Sequence, residues 1–221
     1  MRPIATSSAP TTSGVLVTGA AASNTIRGAT PSASGRWLDV LGNDNQGILV
    51  SSNASNTTIG GAVAGAANLI SGNASAGVYV TTGAVGTIVQ GNLIGLDASG
   101  TAARANGGSG IVQFGTAGAM TIGGAGAGNV ISGNTLYGIQ LSGAASTVQG
   151  NLVGTAVGAV ALGNGGVGIR VESSGHTIGG NNTTLHQCDL GPTPCKASMP
   201  SAPARSSAGP PPPIAMSSPA T

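Results

Sequence analysis

One short pattern, Gly-Φ-x-(apolar), returns along this chain at an almost constant interval. It reads GVLV at 14–17, GILV at 47–50, GVYV at 77–80, GIVQ at 110–113, GIQL at 138–141 and GIRV at 168–171, in steps of 33, 30, 33, 28 and 30 residues. Some ten residues later a second brief segment follows: NTIRG 24–28, TTIGG 57–61, TIVQG 87–91, MTIGG 120–124, STVQG 146–150 and HTIGG 176–180. A third closes four of the repeats, as NLIS 68–71, NLIG 92–95, NVIS 129–132 and NLVG 151–154. Three strand-like segments per repeat, each too short to bury a face alone, are stable only when stacked on their equivalents one turn away, about 4.8 Å apart. Alternate repeats are the more similar, which gives a super-period near 60 residues.

Composition excludes the competing folds. Charged residues make up 5% and aromatics 2% of the 221 residues, against 40 glycines. Gly every few residues costs a helix about 1 kcal/mol each relative to Ala. No apolar stretch approaches the roughly 20 residues of a membrane span. The seven basic and five acidic residues are scattered, so there is no basic footprint for nucleic acid. The fold expected is all-β, a right-handed parallel β-helix of about six coils over residues 14–182. Residues 1–13 read as a flexible lead-in.

Side-chain direction follows from strand alternation. The inward positions of the first strand are Val15/Val17, Ile48/Val50, Val78/Val80, Ile111, Ile139/Leu141 and Ile169/Val171, with Gln113 a local weak point in its column. The outward positions read Leu16/Thr18, Leu49/Ser51, Tyr79/Thr81, Val112/Phe114, Gln140/Ser142 and Arg170/Glu172. Tyr79 and Phe114 fall on adjacent coils of one flat face, where exposed rings suit stacking against sugars.

Asparagine recurs at fixed offsets. Asn43, Asn73, Asn106, Asn134 and Asn164 each stand four residues before a Gly-Φ strand, and Asn68, Asn92, Asn129 and Asn151 open the third strand. Asn supplies turn conformations in general, but a constant offset in successive coils predicts stacked amides, an asparagine ladder.

At IGGAGAGNVISGNTLYGIQLSGAASTVQGNLVG (122–154) and ISGN…VQGNLIGLDASG (70–100) the chain resembles right-handed parallel β-helix proteins with pectate-lyase-like coils. More narrowly, it resembles repetitive bacterial secreted and surface proteins. The resemblance covers roughly residues 14–180 and implies an extracellular or cell-surface location. It leaves function open, because that superfamily holds lyases, hydrolases, epimerases and non-catalytic passengers.

Beyond HTIGG the pattern lapses. Nine of the twelve prolines lie at or after Pro192, and proline cannot join the interior of a ladder. Residues 183–221 read as a disordered or extended tail, with polyproline II character over 210–213, either a linker or ligand or a stretch that selection never shaped. Cys188 and Cys195 lie within it and either pair or stand as free thiols. The N-terminus lacks an apolar core segment, so either export is specified elsewhere or the chain is an internal piece.

Little in the chain points to chemistry, and no catalytic residue or cofactor is expected. The acidic supply is Asp39, Asp44, Asp97, Glu172 and Asp189. Asp39 and Asp44 share a loop with Arg36, and Asp97 lies two coils on, about 10 Å away, too far for a retaining glycosidase pair and barely within range for an inverting one. A weak Ca²⁺ contact at Asp44, Asn43 and Asn45 would be oxygen-only and under-charged. His176 sits at an element boundary and suits a turn role. The Gly-rich GGAGAGN at 123–129 leads into a strand, not a helix, so it is no phosphate loop.

The leading expectation is a non-catalytic scaffold or stalk, adhesive or glycan-binding, whose partners are polysaccharide or the neighbouring coils of a longer array. A pectate-lyase-like carbohydrate-active enzyme is the alternative. An ice-binding solenoid is the third reading, disfavoured because the outward positions form no regular Thr-x-Thr array.

Overall fold

The computed structural model describes residues 13–19, 23–27, 42–158 and 160–179, together with the short strands Thr183–Thr184 and Asp189–Leu190. The fold is a parallel β-solenoid. The first coil holds β1 (Val15–Val17) and β2 (Thr25–Ile26). Five three-stranded coils follow. They are β3 (Ile48–Val50), β4 (Thr58–Gly60) and β5 (Leu69–Ile70); β6 (Val78–Val80), β7 (Thr87–Gln90) and β8 (Leu93–Ile94); and β9 (Ile111–Gln113), β10 (Met120–Gly123) and β11 (Val130–Ile131). Then come β12 (Ile139–Leu141), β13 (Thr147–Gln149) and β14 (Leu152–Val153), then β15 (Ile169–Val171), β16 (Thr177–Gly179) and β17 (Thr183–Thr184), with β18 (Asp189–Leu190) last. These strands stack into three sheets of seven, six and five members. We call them sheets one, two and three, after the first, second and third strand of a coil. The all-β solenoid read from the repeat is therefore the fold observed.

Two of these strands fall where the sequence reading placed the tail. β17 pairs with β14 through Thr183↔Leu152, and β18 with β15 through Arg170↔Asp189. The ladder thus runs on to Leu190, and the boundary expected at 183 moves. The apolar NVIS pattern is lost there, but parallel pairing is made by backbone groups and needs no apolar side chain. Cys188, Cys195 and the proline run lie outside the described residues.

The core consists of register-matched columns. Ile48, Val78, Ile111, Ile139 and Ile169 form one in sheet one, and Ile59, Val89, Ile122 and Val148 form one in sheet two. Ile70, Ile94, Ile131 and Val153 form another in sheet three, and every member of the three columns is buried. β-Branched residues dominate because their restricted rotamers suit a pleated, stacked surface. The inward positions read from the sequence hold, although Val15, in the edge strand β1, is only partly buried.

Gln113 interrupts the sheet-one column of Val17, Val50, Val80, Leu141 and Val171 without loosening it. Its Nε2 donates to the carbonyls of Gly118 (2.7 Å) and Ala144 (2.8 Å), tying its own turn to that of the next coil. The expected weak point is a polar stitch. Its Oε1 has no partner among the described protein atoms.

The super-period has a structural cause. Between the two asparagine positions of one coil the spacing is 5 residues (68 to 73), then 14 (92 to 106), then 5 (129 to 134), then 13 (151 to 164). Every other coil extrudes a loop, closed by the antiparallel bridges Leu96↔Ala103 and Thr155↔Ala161. The two loops meet across the intervening coil, where Val157 N–H donates to Gly100 O at 2.9 Å. Among the described residues no helix is long and apolar enough to cross a membrane.

Candidate functional site

The corners of the coil are built on two asparagine ladders. In the first, Nδ2 of Asn43, Asn73, Asn106 and Asn134 donates to Oδ1 of the next member at 2.6, 2.7, 2.8 and 2.9 Å, ending on Asn164. In the second, Asn68, Asn92 and Asn129 donate in the same way at 2.8, 2.9 and 2.8 Å, ending on Asn151. The Oδ1 of Asn92, Asn129 and Asn151 also accepts the backbone N–H of the preceding asparagine, at 3.0–3.1 Å. The second Nδ2 proton goes to a carbonyl of the preceding coil, Ile59 O for Asn92 and Val89 O for Asn129. An interior member is fully used. The glycine before this corner is required: at Gly60 (φ 83) a Cβ would collide with the Gln90 carbonyl and the Asn92 amide. Both predicted sets are thus ladders.

Of the carboxylates considered for chemistry, Asp97 holds backbone in place. Asp97 Oδ1 accepts the N–H groups of Thr101 (3.0 Å) and Ala102 (3.1 Å), while Oδ2 accepts the Ser99 hydroxyl at 2.7 Å. The Ser99 hydrogen bond, aided by the backbone amides, holds its carboxyl below the usual range. Asp44 is exposed, and its neighbour Asn43 spends its amide on Asn73. Among the described residues no three His, Cys, Asp or Glu side chains converge as a metal site would need. Asp39 lies outside them.

His176 and Ser173 look at first like a nucleophile and its base, at 2.7 Å. The polarity is wrong for that role. His176 Nδ1 accepts the Ser146 N–H (3.1 Å), so the neutral ring carries its proton on Nε2 and donates it to Ser173. Ser173 in turn donates to Gly143 O at 2.8 Å. The histidine clamps one coil to the next, and burial lowers its pKa.

The outward face of sheet one carries a continuous row of side chains. Leu16, Leu49, Tyr79, Val112, Gln140 and Arg170 stand in one register row. Tyr79 and Phe114, the predicted ring pair, touch with centroids 6.0 Å apart and planes tilted by 33°. Phe114 is half exposed, whereas Tyr79 is partly covered and burial raises its phenol pKa. Val112, expected to point freely outward, is only 6% exposed. It is flanked in register by Tyr79 and Gln140, both larger.

Beside the rings stands a polar network that the sequence reading did not assemble. Arg170 Nε lies 2.6 Å from Glu172 Oε1, and Glu172 Oε2 accepts Gln140 Nε2 at 3.0 Å. The Arg170 guanidinium sits 4.9 Å over the Tyr137 ring and donates to a Tyr137 hydroxyl. The i, i+2 spacing of Arg170 and Glu172 placed them on one face, but Tyr137 precedes its strand and gave no sign of joining them.

No known family model, curated protein or solved structure matches this chain.

Proposed function

We propose that the chain is a non-catalytic scaffold or stalk segment of a secreted or cell-surface bacterial protein, presenting the outward face of sheet one to sugar chains. The observation that carries this reading is the way polar side chains are used. Asp97, Ser173, His176 and both asparagine series have their hydrogen-bonding groups engaged with turns and neighbouring coils. A general acid or base must instead point at a substrate atom. A stack of near-identical coils gains its stability from nearest-neighbour interfaces and lengthens by repetition, which suits a spacer. The rings of Tyr79 and Phe114 supply a place for a pyranose to stack.

A depolymerisation assay tests the first part. Incubated with anionic and neutral polysaccharides, with and without Ca²⁺, the chain should release neither reducing ends nor unsaturated products. Turnover that Asp97→Ala abolishes would overturn the scaffold reading in favour of a pectate-lyase-like enzyme.

A further inference from the structure

We propose that the outward face of sheet one selects neutral sugar chains over uronic-acid chains, because the polar network of Tyr137, Gln140, Arg170 and Glu172 beside the Tyr79–Phe114 rings offers no free positive charge. This rests on the glycan-presenting part of the reading above and specifies its ligand class.

The row from Leu16 to Arg170 crosses six strands, five steps of about 4.8 Å, and so spans roughly 24 Å. Its first four members are apolar or aromatic, and its last two are an amide and a guanidinium. That order juxtaposes what a pyranose presents. Its C–H face packs on an aromatic ring, while hydroxyls at its rim meet planar groups already fixed in place. Gln140 and Glu172 are fixed by their mutual hydrogen bond, and Arg170 by Glu172 and Tyr137, so little side-chain freedom is lost on binding.

Charge decides the class. Arg170 is the only basic residue in the seven strands of sheet one. Its charge is already matched by Glu172. A uronate carboxylate arriving here meets at least as much negative charge as positive. Like charges at contact distance repel, and more strongly at a protein surface than in bulk water. A Ca²⁺ bridge would relieve this, but no cluster of three candidate ligands exists among the described residues. Neutral hydroxyls pay no such penalty.

The test is titration calorimetry of the full chain with neutral hexasaccharides of glucose, mannose and xylose, and with hexagalacturonate. At least one neutral probe should bind, and Tyr79→Ala and Phe114→Ala should each weaken it by about tenfold, with unchanged melting as the folding control. Hexagalacturonate should not bind the native chain. It should begin to bind Glu172→Gln, in which Arg170 is released, and that binding should vanish as salt is raised. Hexagalacturonate binding the native chain as tightly as the best neutral probe would overturn the selectivity while sparing the ring platform. Failure of every probe would overturn the platform itself and the glycan part of the proposed function.

Discussion

Two polar columns run along this solenoid, and they are built on opposite principles. At the corner between sheets two and three stand Asn68, Asn92, Asn129 and Asn151, the same residue in four successive coils. At the entry to sheet two the register aligns Thr57, Thr87, Met120, Ser146 and His176, a different residue in most coils. The first column is saturated with hydrogen bonds. In the second, the hydroxyls of Thr57 and Thr87 are buried without a partner among the described residues, and Met120 meets Ser146 only through its own backbone N–H. A primary amide is self-complementary along a stack: its acceptor faces back, one donor faces forward to the next amide, and the other returns to a carbonyl of the preceding coil. A hydroxyl brings a single donor and depends on whatever the next coil offers. Identity between coils is therefore needed in one column and dispensable in the other.

The sharpest way to break this contrast is Asn129→Asp. It keeps the shape but turns a donor into an acceptor against Asn151 Oδ1 and Val89 O, inside a corner with no compensating cation. A cost of about 3–5 kcal/mol is expected, read from urea unfolding. A change below about 1 kcal/mol would mean that the amide direction is immaterial.

The histidine end of the varied column should show a smaller, pH-dependent effect. Because burial lowers the folded-state pKa of His176, the unfolded chain takes up protons more readily. Stability from this residue is complete above the unfolded value of about 6.5 and is lost as pH falls from there toward the lowered folded value. The melting temperature should drop on acidification from pH 7 to pH 5, and His176→Gln, which cannot titrate, should flatten that drop. Equal slopes for the two proteins would remove the clamp from the account.

Smallest of all should be Thr87→Val. It replaces an unpartnered buried hydroxyl with a methyl of similar size, so melting should move by no more than about 0.5 kcal/mol, in either direction. A large loss would reveal a hydrogen bond to that hydroxyl through ordered water.

These columns also mark how far the sequence could be read. The asparagine offsets were visible because a self-pairing residue must recur at one register position, and recurrence is what a sequence displays. Gln113 was legible as an interruption, yet its two carbonyl partners, Gly118 and Ala144, belong to turns whose approach no spacing announces. Tyr79 and Phe114 were placed on one face by strand alternation. Val112 between them looked equally free, because alternation gives direction and not the size of the neighbours. Ser173 and His176 were three residues apart in plain view, but the role of the pair turns on Ser146, thirty residues upstream.

By itself, the sequence determined the solenoid: its period, its three strands per coil, its aliphatic columns and its asparagine corners. Each of these is a nearest-neighbour property, and each repeats with the coil. Only the tertiary structure decided which way a proton points between His176 and Ser173, that loops of alternate coils meet at Val157 and Gly100, and that Tyr137, Gln140, Arg170 and Glu172 form one network. Those features arise once each, from chain segments brought together by the stacking, and a feature that does not repeat leaves no period to read.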